Sequence, residues 1–200
     1  SATAPYDCLK SQRILEQGCQ ALARRVADPS YRQNPITRSL NALALLASGK
    51  REYVPLVRKE AQWAAKFSAD SFQTWYYGYV IMLLSEYVMA TGDESVVPGL
   101  QRLALEAANG QSIVGSWGHR FARPDGRLGG YGMMNAPGVP LTISLVLARE
   151  AGLCYATCAL VVNWAAGIGD EGPISQELIN RYLDQGMQSV KGLILELETS

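Results

Sequence analysis

A chain of 200 residues that is 48% hydrophobic and 18% charged can bury one good-sized core and has too much apolar material to stay disordered. Eighteen basic and eighteen acidic residues cancel, so there is no electrostatic footprint of a nucleic-acid binder or of a protein held on an anionic membrane. Apolar runs such as 153–168 are broken by Asn163 and are too short to span a bilayer, so no transmembrane segment is expected. The N-terminus lacks a basic-then-apolar signal pattern, but a removed signal leaves the same trace, and the compartment stays open. The low charge points to surface covered by a partner, such as a second copy in a homodimer, or by further chain.

The elements read as helices from one end to the other. Leu9, Ile14, Leu15, Cys19, Leu22 and Val26 recur at helical spacing and predict a helix over 6–27, ended by Asp28-Pro29. Asn34 caps a second helix with Pro35 in its first turn, and Gly49 stops it. Pro55 lies in the first turn of a third, ending near Phe67. Ser71 or Thr74 opens a fourth, which carries Trp75, Tyr76, Tyr79, Leu83, Leu84, Tyr87 and Met89 and stops at Gly92. Asp93 caps a fifth that runs to about Ala108. Pro173 and Ser175 open a last amphipathic helix with Ile179, Leu183, Met187, Val190 and Ile194 on one stripe.

Two of these segments repeat. ALLASGKREYVPLV at 44–57 matches LLSEYVMATGDESVVPGL at 83–100, with glycines 43 residues apart and a proline six residues after each. That period is typical of stacked helical hairpins. A third copy is predicted to start at Val139-Pro140 and stop at Gly152, with 153–166 as its second helix. No alternating segment of strand length is present. The expected fold is therefore all-α: antiparallel helical hairpins in a partial or complete α/α toroid, one domain over 1–200, with a glycine-rich loop inserted at 109–139.

That loop reads NGQSIVGSWGHRFARPDGRLGGYGMMNAPGV and holds eight of the nineteen glycines and the only histidine. So long an inserted loop is usually functional or disordered, and its aromatic and methionine side chains favour function. Within it, Gln111 to Trp117 has the form Q-x-x-x-G-x-W directly after a helix ending LALEAANG. This resembles the QW motif of the terpene cyclase and protein prenyltransferase superfamily, where the glutamine amide packs on the tryptophan and ties hairpins together. More broadly, residues 35–152 resemble an uncharacterised bacterial family of prenyltransferase/squalene-oxidase-like repeat proteins. The stretches that carry this are WYYGYVIMLLSEYVMATGD and GSWGHRFARPDGRLGGYGMMNAPGVPLTISLVLAREAG. The resemblance implies an α/α toroid and no established activity. The D-x-D-D acid motif of the cyclases and the zinc set of the protein prenyltransferases are both absent, which sets terpenoid binding or cyclisation behind the other readings.

His119, Arg120, Arg123, Asp125, Arg127, Tyr131 and Asn135 cluster in the loop. A histidine base and a tyrosine acid with arginines to hold a carboxylate suit β-elimination on an acidic polysaccharide, so His119, Tyr131 and Arg120 are the candidate catalytic residues. Trp117, Arg123, Arg127, Asn135, Trp75 and Tyr79 are the candidate ligand contacts. The plainer reading is that the loop residues hydrogen-bond among themselves, that Arg-Pro-Asp-Gly at 123–126 is a turn, and that the aromatics pack a core. Glu60, Glu86, Glu106 and Glu150 are expected on solvated helix faces. Cys8, Cys19, Cys154 and Cys158 are read as buried small hydrophobes; Cys8 and Cys19, roughly 16 Å apart on one helix, cannot bridge each other, so a disulfide would join the first pair to the second. No metal-ligand spacing, P-loop, G-x-S-x-G or dinucleotide fingerprint occurs, and no metal or cofactor is expected. The sequence favours a binding or scaffolding module, for a small molecule or glycan, over a carbohydrate lyase or hydrolase.

Overall fold

In the computed structural model, which describes residues 8–130, 132–154 and 175–199, the described elements are seven α-helices and two short 3-10 turns, with no strand among them. The protein is all-α. The chain divides into two compact units, Ser1–Tyr155 and Ala156–Ser200.

The helices begin and end where local chemistry directs. α1 (Leu9–Ala27) is capped by Cys8, whose Sγ accepts the Ser11 N–H at 3.4 Å. α2 (Pro35–Ala47) starts with Asn34 Oδ1 accepting from the Thr37 N–H at 2.8 Å and with Pro35 in its first turn, as expected. Gly49, at φ +68°, turns the chain into a 3-10 turn, Arg51–Tyr53, and then α3 (Val54–Ala65). The next hairpin has the same build: α4 (Gln73–Thr91), Gly92 at φ +68°, a 3-10 turn Glu94–Val96, then α5 (Val97–Asn109). α6 (Asn135–Glu150) is followed by Gly152 at φ +98°. A left-handed residue after the last helical turn closes off the free carbonyls, and glycine adopts it without a Cβ penalty.

α4 decides how the helices pack. Tyr77, Gly78, Val80, Ile81, Leu83, Leu84, Ser85 and Tyr87 are all buried, so most of the helix surface is covered, while Met89 and Ala90 near its end stay exposed. α2 lies against one flank and α6 against the other, while α3 and α5 form a second layer. Gly78 lets α6 approach: a Cβ there would stand 3.1 Å from the backbone nitrogen of Leu141. Gly78 is the sixth residue of α4, and Pro140 and Leu141, which it meets, are the sixth and seventh of α6, so both helices start at the same end. Gly99 performs the same service in the outer layer, where a Cβ would stand 2.4 Å from the Ala65 carbonyl oxygen.

Several expectations are corrected. α4 opens on neither Ser71 nor Thr74 but on Phe72, held at φ +49°; Thr74 is buried with its hydroxyl unpartnered. α6 starts at Asn135, not at Val139-Pro140, so Pro140 lies inside the helix and withholds the N–H that would bond back one turn. Its Val-Pro is thus no counterpart of Val54-Pro55. Glu60 is not solvated: only 4% exposed, it pairs with Arg38, whose guanidinium lies 4.0 Å over the Trp63 ring. Of the cysteines, Cys19 is buried, Cys8 half-buried and Cys154 exposed, all three as free thiols. Cys158, the expected helix over 153–166 beyond Cys154, and Pro173 lie outside the described residues. In the second unit, α7 (Gln176–Thr199) begins with Ser175 Oγ accepting from the Leu178 N–H at 3.2 Å. No described helix is long and apolar enough to cross a membrane.

At the α4–α5 turn, the buried Tyr87 hydroxyl donates to Asp93 Oδ2 at 2.6 Å, and Arg58 Nε approaches the same hydroxyl at 3.2 Å. Hydrogen bonds from Ser95, then from Tyr87, hold the Asp93 carboxyl at about 2, below its ordinary 3.8. A depressed carboxylate stabilises the fold fully above the unfolded value and loses that contribution as pH falls through the folded one. Thermal unfolding should therefore show a melting temperature that drops between about pH 4 and pH 2, and Asp93→Asn should flatten that part of the profile while lowering the melting temperature at pH 7.

Candidate functional site

The glycine-rich segment is a structured cover over three helix ends. Trp117, 5% exposed, donates its indole N–H at 2.9 Å to the Ala107 carbonyl in the last turn of α5, which the Gly110 N–H also meets at 3.2 Å. The Ala122 N–H bonds to the Gly110 carbonyl at 2.9 Å, the Phe121 N–H to Gln73 Oε1 at 3.3 Å in the first turn of α4, and the Met134 N–H to the Trp117 carbonyl at 2.9 Å just before α6. Close backbone approach accounts for two of the glycines. A Cβ on Gly110 would stand 2.4 Å from the Phe121 ring, and one on Gly118 would stand 2.7 Å from the Gly132 carbonyl oxygen. Residues 123–127 form the expected turn: the Gly126 N–H bonds to the Arg123 carbonyl at 2.8 Å, the Arg123 N–H to the Arg127 carbonyl at 3.0 Å, and Asp125 Oδ1 accepts from the Arg127 N–H at 3.0 Å.

The sequence-predicted residues fall into three places on this cover. His119 meets Trp75: the indole N–H of Trp75 donates to His119 Nδ1 at 2.8 Å, and the two rings are 24° from parallel. Phe72 presents its edge to the same imidazole at 5.7 Å. Tyr79, one turn on from Trp75, is half-buried. With Nδ1 accepting, the neutral imidazole carries its proton on Nε2, and the lone pair a general base would use is engaged by Trp75. The second place is the turn, where Arg123 and Arg127 are exposed; Arg120, beside His119, is exposed too, and no carboxylate among the described residues pairs with any of the three. The third is an open depression of about 170 Å³ at the start of α6, lined by Trp117, Met133, Met134, Asn135, Val139 and Thr142 among others. His119 does not line it. Tyr131 lies outside the described residues.

Three features were not read from the sequence. Phe72 is half exposed in a left-handed conformation that a bulky side chain seldom takes, a strained position directly beside His119. Nothing in its local sequence signals this, because contact with the loop holds it. Aromatic rings run back from it through Tyr76 and Phe67 to Trp63, with centroids 6.4, 6.3 and 5.5 Å apart. Below them the buried Tyr77 hydroxyl donates to Glu106; burial, then that carboxylate, pushes its pKa up. Arg102 bonds the other Glu106 oxygen at 2.8 Å and the Phe67 carbonyl at 2.6 Å, so this carboxylate is also tied down. Among the described residues no three histidine, cysteine or acidic side chains gather as a metal site.

Fold and cover together define an all-α protein of stacked helical hairpins with a structured inserted loop. The chain belongs to the family described as a domain of unknown function, DUF6288, which matches residues 11–168. It is 37% identical over 102 residues to a probable 6-oxopurine nucleoside phosphorylase of Moorella thermoacetica, covering 48% of this chain and 36% of that protein. It is 38% identical over 71 residues to a probable S-methyl-5'-thioinosine phosphorylase of Xanthomonas campestris, covering 36% of this chain and 27% of that protein. The chain thus spans about a third of the length of these curated relatives. No solved structure matches it.

Removing the Trp117 ring empties a buried site and takes away one of the two donors on the Ala107 carbonyl, leaving the Gly110 N–H at 3.2 Å. Trp117→Ala should lower stability by roughly 3–5 kcal/mol in denaturant unfolding; a loss under about 1 kcal/mol would mean that the cover is not docked on α5.

Proposed function

We propose that this chain is a ligand-binding repeat module, with its contact surface on the glycine-rich cover where Trp75, Phe72 and His119 meet. The observation that carries this reading is the indole-to-imidazole hydrogen bond, which holds two flat rings nearly parallel at a half-exposed position. Flat apolar faces beside exposed arginines suit a sugar ring bearing a carboxylate, with Arg120 as the nearest cation in the chain and Arg123 and Arg127 on the turn. Tyr79 and, at the depression, Trp117 and Asn135 are further contacts. The same engagement of Nδ1 argues for binding over β-elimination, since a lyase would need that lone pair to take a proton. The hairpin layers are read as part of an α/α toroid, with this cover at its mouth and Gln111 and Trp117 as a QW-like pair; the indole seated on the end of α5 supports this.

A second reading takes the ligand to be a purine nucleoside, because both curated relatives are named as phosphorylases of such compounds. An aromatic platform accepts a purine base as readily as a sugar ring.

Titration of the protein's tryptophan fluorescence with an oligogalacturonate, and separately with inosine in the presence of phosphate, tests both. Saturable quenching by the acidic oligosaccharide, weakened at least tenfold in Trp75→Ala and in Arg120→Ala, is expected. Saturation by inosine alone transfers the site to the second reading. New ultraviolet absorbance from an unsaturated product, lost in a folded His119→Ala variant, would replace binding by lyase chemistry.

A further inference from the structure

α4 is covered on both flanks; among the described residues the helices packed closely on α6 are α4 and, to a lesser extent, α5. On its other side Val139, Ile143 and Val146 are 54%, 48% and 42% exposed. At 100° per residue these three lie within about 60° of one another, and Glu150, also exposed, continues the same line; Arg149 falls about 80–100° away from it. The stripe does not stop at the end of the helix. Val139 lines the depression together with Met133 and Gly115, and the exposed Val114 and Ile113 precede Gly115. Ile113 in turn packs on Gly126, within the turn that carries Arg123 and Arg127. One continuous surface therefore runs from two exposed guanidiniums, through six exposed apolar side chains, to an exposed carboxylate at the end of α6. Apolar patches of this extent, rimmed by charge, mark contact surfaces.

We infer that this face pairs with the same face of a second copy, α6 against α6 in antiparallel array about a two-fold axis near Ile143. The surface is complementary to itself in that arrangement. Val139 of each copy meets the partner copy's stripe near Val146, and the Arg123–Arg127 turn at one end approaches Glu150 at the negative end of the other α6. Pairing in this way covers the exposed stripe of α6, and the apolar side chains beyond its N-terminus extend the contact toward the roughly 800 Å² per partner that stable dimers bury. Neither Trp75 nor His119 takes part, although the pairing shares the Arg123–Arg127 turn and the depression with the outer ligand contacts named above.

Light scattering after size exclusion, over a dilution series of the full chain, tests it. The expected mass is twice the 21.7 kDa of the chain. Ile143→Glu should reduce it to a single copy with unchanged helical circular dichroism, as should the milder Val146→Lys. Leu15→Glu, which alters the exposed apolar side of α1, should leave the dimer intact. A wild-type monomer at every concentration, or a dimer that survives Ile143→Glu, overturns the inference. Dissociation by Leu15→Glu as well would point to an end-to-end contact between α1 and α6, and overturns the two-fold in the same way.

Discussion

α4 has no polar side, and the rest of the first unit is arranged to cover it. A helix with apolar residues all round cannot rest on a surface; it needs neighbours on both flanks and behind. α2 and α6 supply the flanks, α3 and α5 the second layer, and Gly78 and Gly99 remove the side chains that would hold those neighbours apart. The stiff turns between hairpins follow from the same demand. A left-handed glycine, a 3-10 turn and a proline in the next first turn reverse the chain within a few residues, so each outer helix returns along the inner one it must cover.

The inserted loop works within that frame because its anchors are helix ends. The ends of helices carry backbone groups with no partner inside the helix. Here the Ala107 carbonyl takes the indole of Trp117, and Gln73 in the first turn of α4 takes the Phe121 N–H. With both ends of the loop tied down and its middle closed by the 123–127 turn, most of its polar side chains are left for what lies outside. Polar groups that looked available on sequence are spoken for: Asp125 by the turn, Glu60 by Arg38, Glu106 by Tyr77 and Arg102. Those not so engaged are the three arginines, exposed and with no carboxylate partner among the described residues.

This division bears on chemistry. An enzyme that removes protons needs a group with a lone pair directed at its substrate. The imidazole of His119 instead accepts from an indole, an arrangement that fixes ring orientation and tautomer. Membership of DUF6288 sets the chain among relatives that share its sequence over most of its length, and the two nucleoside phosphorylase names attach to proteins it matches only in part.

Periodicity and punctuation by themselves determined the secondary structure. Apolar residues at helical spacing, Asn34-Pro35, the glycines at 49, 92 and 152 and the prolines at 55 and 98 act within one or two turns of chain, and such signals survive in the sequence unaltered. They made the all-α hairpin fold legible, and with it the loop as the place to look. Start sites that depend on contacts were misread. Phe72 opens α4 with the loop's His119 against its ring, and Pro140 lies within α6 where that helix comes closest to α4 at Gly78. The candidate residues were legible as a cluster in sequence, yet tertiary structure divided them: His119 went to Trp75, 44 residues away, and Trp117 to the end of α5. Hydrogen bonds across such separations are set by which helix ends meet, and that is decided only when α2 and α6 have packed on α4.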